Sequence, residues 1–223
     1  MSKIRAMAFD AYGTLLDVGS VGSGLGHLDA DTRRRFVLIW RSKQLEYTWL
    51  RTLMKKYADF EKVSGDALRY AIRVTGLNEN RFDSLLDDMK RLRCFPDVPA
   101  ALTKLKQKSI RMVILSNGTP AMLNSALEAN GLQSNFEAVL SVEEVGAYKP
   151  DPLVYGLASK HFSLEPKDIL FVSSNSWDAS GAASFGLRTV WCNRTQTIFD
   201  ELGYKPDMEV KELGELADKV DAF

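Results

Sequence analysis

Ile4-Arg5-Ala6-Met7-Ala8-Phe9-Asp10-Ala11-Tyr12-Gly13-Thr14-Leu15 is the stretch whose reading decides the fold. Residues 4–9 form a short apolar run of strand length, which ends on a carboxylate just before Gly13 turns the chain. In an open α/β sheet, ligands bind in the crevice outside the carboxyl ends of the strands, where a strand-end side chain is held rigidly toward them. Asp10 is therefore a candidate nucleophile. The competing reading is a turn-forming Asp that caps the next element.

Four further runs read as strands: Ile110 to Leu115, Ala138 to Leu140, Ile169 to Val172 and Thr189 to Cys192. They alternate with helical patterns around residues 98–108, 119–130, 151–161 and 177–185, which predicts an α/β fold built on a Rossmann-like, doubly wound parallel sheet. Between residues 16 and 94 no strand pattern occurs. Apolar residues recur there at helical spacing: Phe36, Ile39 and Trp40, then Leu45, Trp49, Leu53 and Tyr57, then Ala67, Tyr70 and Val74, then Leu85, Leu86, Met89 and Leu92. This predicts an inserted helical cap of roughly four helices, resembling a four-helix bundle, at 16–94, with the catalytic core at 1–15 and 95–223. The glycine-rich stretch Val18 to Gly26 fits neither G-x-G-x-x-G nor G-x-x-x-x-G-K and is read as a flexible connector.

Composition narrows the function. The 223 residues carry 29 basic and 29 acidic side chains, so no basic field gathers nucleic acid or an anionic membrane, and a small-molecule partner is expected. Cys94 and Cys192 have no Cys or His companion at metal-ligand spacing, which fits a reducing cytoplasm. No apolar stretch approaches a membrane span, and Met1-Ser2-Lys3 leads into the first strand without a signal-peptide pattern. Neither His27 nor His161 has an acidic or nucleophilic partner at a convincing position, which argues against a histidine-dependent triad.

Polar groups mark the carboxyl ends of the other strands: Ser116-Asn117-Gly118, then Tyr148-Lys149-Pro150-Asp151, then Ser173-Ser174-Asn175-Ser176-Trp177-Asp178. Each has an ordinary reading, as a helix cap, a solvated loop charge and a first-turn acid meeting the helix dipole. On one edge of one parallel sheet they are expected to converge on Asp10.

These residues carry a resemblance. With F-D-A-Y-G-T, L-S-N-G, Lys149 in Y-K-P and V-S-S-N-S-W-D, the chain resembles the haloacid dehalogenase superfamily. The likeness to its L-2-haloacid dehalogenases runs over nearly the whole length and includes the cap segment Trp40-Arg41-Ser42-Lys43-Gln44-Leu45-Glu46-Tyr47-Thr48-Trp49-Leu50-Arg51. That resemblance implies hydrolysis of short L-2-haloalkanoates to D-2-hydroxyalkanoates, with Asp10 attacking C2 to form an ester. It implies Arg41 and Asn117 as receivers of the halide, and Ser116 with the backbone amides of Ala11 and Tyr12 as the carboxylate site. Thr14, Lys149, Tyr155, Ser173 and Asn175 would orient the acids, and Asp178 would activate the hydrolytic water. Tyr12, Leu45, Phe60 and Trp177 would wall the alkyl group, although Leu45 and Phe60 read equally as cap core and Arg41 as a solvated helix charge. The resemblance and the apolar cap helices also imply a homodimer.

The alternative is a magnesium-dependent phosphomonoesterase of the same superfamily. Such enzymes carry an acid two residues after the nucleophile and read V-G-D-S-x-x-D in the last motif. Here Tyr12, Ser173 and Ser174 stand at the differing places, which predicts a site working without metal or other cofactor.

Overall fold

The computed structural model describes residues 4–26 and 28–223. Residues 1–3 and His27 lie outside them. The central strand β1 (Ala6–Phe9) is fully buried and pairs in parallel with β2 (Arg111–Ser116) on one side and β4 (Ile169–Ser173) on the other. With β3 (Ala138–Ser141), β5 (Arg188–Cys192) and β6 (Met208–Val210), the sheet runs in the order β3-β2-β1-β4-β5-β6, every pairing parallel. Both faces are covered, so the strands are near-continuously apolar. Truncating Phe9 to Ala in this core would cost about 3–5 kcal/mol.

Sequence order reverses direction across the sheet between β1 and β4, which opens a crevice at their carboxyl ends. Asp10 follows β1 there and Ser173 ends β4; the Asp10 amide donates to Val172 O at 2.9 Å, holding the two chain ends together.

The core helices α4 (Val98–Gln107), α5 (Pro120–Ala129), α6 (Pro152–Phe162) and α7 (Ser176–Phe185) fall where the sequence pattern puts them. Thr119 caps α5 through Met122 N and Asp151 caps α6 through Leu153 N, while Pro occupies the first position of both. The strand β6 and the short helix α8 (Leu213–Lys219) are additions to the sequence reading. Three residues on a sheet edge carry too little apolar pattern to announce a strand.

Helical segments fill residues 16–94, but the α-helices described there number three: α1 (Ala30–Leu53), α2 (Phe60–Thr75) and α3 (Phe82–Lys90). The two helices expected around Phe36 and Leu45 are one, because no Gly or Pro interrupts residues 30–53. The expected flexible connector is a 3-10 helix, Val18–Leu25, capped by Asp17 and anchored by buried Val21 and Leu25. Trp40 Nε1 donates to Ser64 O at 3.4 Å and Gln44 Nε2 to Ser64 Oγ at 2.5 Å, which binds α1 to α2. Tyr148 ties these helices to the core, its amide reaching Thr52 Oγ1 at 3.0 Å and its hydroxyl reaching Ala58 O at 2.6 Å. Among the described residues no helix is long and apolar enough to cross a membrane.

Candidate active site

Asp10 lies at the crevice, only 5% exposed, and its carboxylate is held from three sides. Oδ2 accepts from Thr14 Oγ1 at 2.8 Å and Asn175 Nδ2 at 2.9 Å, with Ser173 Oγ at 3.4 Å; Oδ1 accepts from Lys149 Nζ at 3.1 Å. Lys149 also pairs with Asp178 Oδ2 at 3.0 Å, so one buried ammonium stands between two buried carboxylates. Asp178 further accepts from Ser173 Oγ at 3.0 Å and, on Oδ1, from the Tyr155 hydroxyl at 2.8 Å.

Local structure explains the convergence. Asn175 occupies the N-cap position of α7, yet its side chain makes no cap bond there; its amide turns to Asp10 and to Tyr12 O at 3.2 Å. Asp178, in the first turn of α7, is likewise aimed inward. Thr14 does double duty, donating to Asp10 and accepting from Ser174 N at 2.7 Å, and thereby joins the turn after β1 to the turn after β4.

Electrostatics acts on Asp178. Burial, opposed by Lys149 and reinforced by the negative charge of Asp10, pushes the Asp178 carboxyl up to about 6. Burial also raises the Tyr155 phenol well above its ordinary value, which keeps it a hydrogen-bond donor.

The remaining sequence-predicted residues take up different positions. Asn117 Oδ1 accepts from Lys149 N at 3.1 Å, leaving its Nδ2 without a partner among the described residues. Ser116, fully buried, accepts from Gly118 N at 3.2 Å through its hydroxyl. The amides of Ala11 and Tyr12 donate to no acceptor among the described residues. Arg41 reaches the site from α1, with Nη1 on Gln44 Oε1 at 2.5 Å and Nη2 on Tyr12 O at 3.4 Å. Burial lowers its pKa, and the negative charge of Asp10 is the largest influence the other way. Phe60 packs on the Tyr12 ring with centroids 5.2 Å apart.

Leu45 and Trp177 stand apart from this network. Leu45 is half-buried on α1, and Trp177 packs edge-on against Trp49 at 5.4 Å, lining with Leu53 and Leu202 an apolar cavity of about 610 Å³ beside the site. His161 does have an acidic partner, Glu137 at 2.9 Å, contrary to the sequence reading, but the pair sits at the surface.

Three supporting residues carried no sequence assignment. Gln44 and Ser64 fix the Arg41 guanidinium through consecutive hydrogen bonds, and Gly181 leaves room for Tyr155. A polar Gln at helical spacing with Trp40 and a Gly inside α7 were the available signals. Among the described residues no group of three His, Cys, Asp or Glu side chains is placed to hold a metal ion.

The family model for haloacid dehalogenase-like hydrolases matches residues 4–186. The chain is 44% identical to the (S)-2-haloacid dehalogenase of Pseudomonas sp. (strain YL), covering 96% of this chain and 93% of that protein. It is 42% identical to haloacetate dehalogenase H-2 of Moraxella sp. (strain B), over 94% of this chain and 95% of the other. The structure of L-2-haloacid dehalogenase from Xanthobacter autotrophicus with chloropropionic acid covalently bound superposes with a TM-score of 0.90 at 33% identity, covering 97% of this chain and 98% of that one. The parallel sheet, the motifs at its carboxyl edge and full-length relatives at this identity agree: the chain belongs to the haloacid dehalogenase-like hydrolases and, within them, to the (S)-2-haloacid dehalogenase family.

Proposed function

We propose that this enzyme hydrolyses short L-2-haloalkanoates to D-2-hydroxyalkanoates through a covalent ester on Asp10. The observation that carries the reading is a buried carboxylate, pinned by Thr14, Asn175 and Lys149, beside a set of donors that have no acceptor among the described residues. Those donors are the amides of Ala11 and Tyr12, the Ser116 hydroxyl hydrogen and Asn117 Nδ2, with the cationic Arg41 next to them. A site that presents surplus donors and a cation suits two negative groups, here the substrate carboxylate and the departing halide.

The steps balance without an added proton donor. An Asp10 oxygen attacks C2 from the face opposite the carbon–halogen bond, and the halide leaves with the bonding pair toward Arg41 and Asn117. Asp178 then takes a proton from water as that water adds to the Asp10 carboxyl carbon; breaking the bond from that carbon to the product oxygen releases an alkoxide that receives the proton from Asp178, and the water's second proton is lost as Asp10 returns to the carboxylate. Asp178 shares Lys149 and Ser173 with Asp10, which favours its action on that ester.

Lys149 favours a reading without magnesium. Its Nζ spans Asp10 and Asp178 at 3.1 and 3.0 Å and already balances the charge that the ion would otherwise meet there. Tyr12, where phosphatases of the superfamily carry an acid, offers no carboxylic proton to a leaving alkoxide. Under this reading Leu45, Phe60 and Trp177 bound the alkyl group and residues 16–94 act as the cap over the core. The exposed Leu50, Leu53 and Met54 on and just after α1 support association as a homodimer.

Halide release from L- and D-2-chloropropionate, each with and without a strong chelator, tests the proposal. Release from the L-isomer alone, unaffected by the chelator, is the expected result. Magnesium-dependent turnover of an aryl phosphate with no halide release would replace it with the phosphatase reading.

A further inference from the structure

The Tyr12 hydroxyl is buried and makes no hydrogen bond among the described residues, beside the unpaired Asn117 Nδ2 and the Arg41 guanidinium. A buried donor without an acceptor is costly and rare enough in native proteins to call for an explanation. Its position is specific. A Cβ added at Gly118 would lie 3.0 Å from this oxygen and 2.8 Å from the Tyr12 ring, so the phenol lies directly over the residue that follows Asn117. The Tyr12 carbonyl accepts from both Arg41 Nη2 and Asn175 Nδ2, which fixes the backbone from which the ring projects. Phe60 packs against the same ring. Tyr12 is close enough to feel the charge of Arg41 and of Asp10, and burial raises its phenol above the ordinary range, so it keeps its proton.

We infer that the Tyr12 hydroxyl is a third donor to the departing halide, acting with Asn117 Nδ2 and Arg41, and is not merely part of an apolar wall. The inference rests on the dehalogenase reading above. Chemically it asks little of the phenol: it keeps its proton throughout and hydrogen-bonds to a halide whose negative charge grows as the carbon–halogen bond lengthens. Such a bond to an anion strengthens in the transition state and so acts on kcat. The open Gly118 position is what lets the ring reach this place, since any side chain there would displace it.

Tyr12→Phe tests the idea because it removes the oxygen and leaves the ring that packs on Phe60. Steady-state kinetics on L-2-chloro-, L-2-bromo- and L-2-iodopropionate should show kcat falling about 10- to 100-fold for the chloride. The loss should shrink through bromide to iodide, which need less help to leave, and KM should change little. An equal loss for all three halogens with a raised KM would overturn the inference and assign the phenol to the substrate carboxylate. An unchanged kcat would overturn it as well and leave Tyr12 a packing residue. If the wild-type protein itself releases no halide, the dehalogenase reading has failed; if it does and the variant shows no leaving-group trend, only the inference has failed.

Discussion

The Tyr155 hydroxyl donates to Asp178 Oδ1 at 2.8 Å, and this bond opposes the burial that pushes the Asp178 carboxyl up to about 6. A base must be ionised to take a proton, so kcat should rise as pH passes upward through about 6 and flatten above it. Tyr155→Phe removes a group that favours the ionised form, so the acid limb of the kcat profile should move to higher pH. A limb that stays in place or moves down would show that Asp178 is not the titrating base. Stability has the opposite sign. The unfolded carboxyl titrates near 3.8, so between there and about 6 the native protein holds a proton that the unfolded chain has lost. This group's contribution to stability is therefore largest at low pH and declines as pH rises through that window.

Gly181 sets the space in which that tyrosine sits. Replacing a Gly inside a helix by Ala normally stabilises it by about 1 kcal/mol. Here the added Cβ would lie 2.6 Å from Pro150 Cβ and 2.6 Å from the Tyr155 hydroxyl oxygen. Gly181→Ala should instead lower the urea midpoint and reduce kcat by displacing Tyr155 from Asp178. A variant as stable as the wild type or more so would show that the contact relaxes freely.

Asp10→Ala should abolish halide release while the protein still folds. This carboxylate is buried and takes hydrogen bonds from Thr14, Asn175 and Lys149. Its loss leaves the Thr14 hydroxyl without an acceptor and takes one of two acceptors from Asn175, and the expected cost is about 1–3 kcal/mol in urea unfolding. An increase in stability would mean that repulsion between Asp10 and Asp178 outweighs those bonds.

What was legible in the sequence divides along physical lines. Asp10, Ser116 and Ser173 end or follow apolar runs, and a parallel sheet brings such ends together whatever the loops do, so their convergence followed from local pattern. Lys149 was expected there from the same convergence and from the resemblance, whereas its distances to the two acids were not readable, because its Nζ position depends on a loop eight residues beyond β3. Tyr155 looks like any apolar-face residue of α6; only the resemblance marked it. The run of α1 through Arg41 and Gln44 as one helix was missed because apolar spacing shifts near Leu45 without a helix-breaking residue. Leu45 itself, assigned to the alkyl wall, is half-buried and lies off the hydrogen-bonded network.

The remaining prediction joins oxygen transfer to stereochemistry, because ester formation and direct attack by water both invert C2 but differ in the oxygen they deliver. If Asp10 attacks, C2 inverts once, and hydrolysis breaks the bond between the Asp10 carboxyl carbon and the oxygen carried off by the product. The D-hydroxyacid then contains a former Asp10 oxygen. In a single turnover in ¹⁸O-water with enzyme in excess, label should enter the Asp10 side chain and not the product. Direct attack by a water activated at Asp178 would place the label in the hydroxyacid. The hydrogen bonds to Oδ2 from Thr14 and Asn175 and to Oδ1 from Lys149 favour the first course, because they fix the carboxylate as a nucleophile must be fixed. Mass spectrometry of the peptide containing Asp10 reads the result, and labelled product beside unlabelled Asp10 would falsify the ester mechanism while leaving the substrate class untouched.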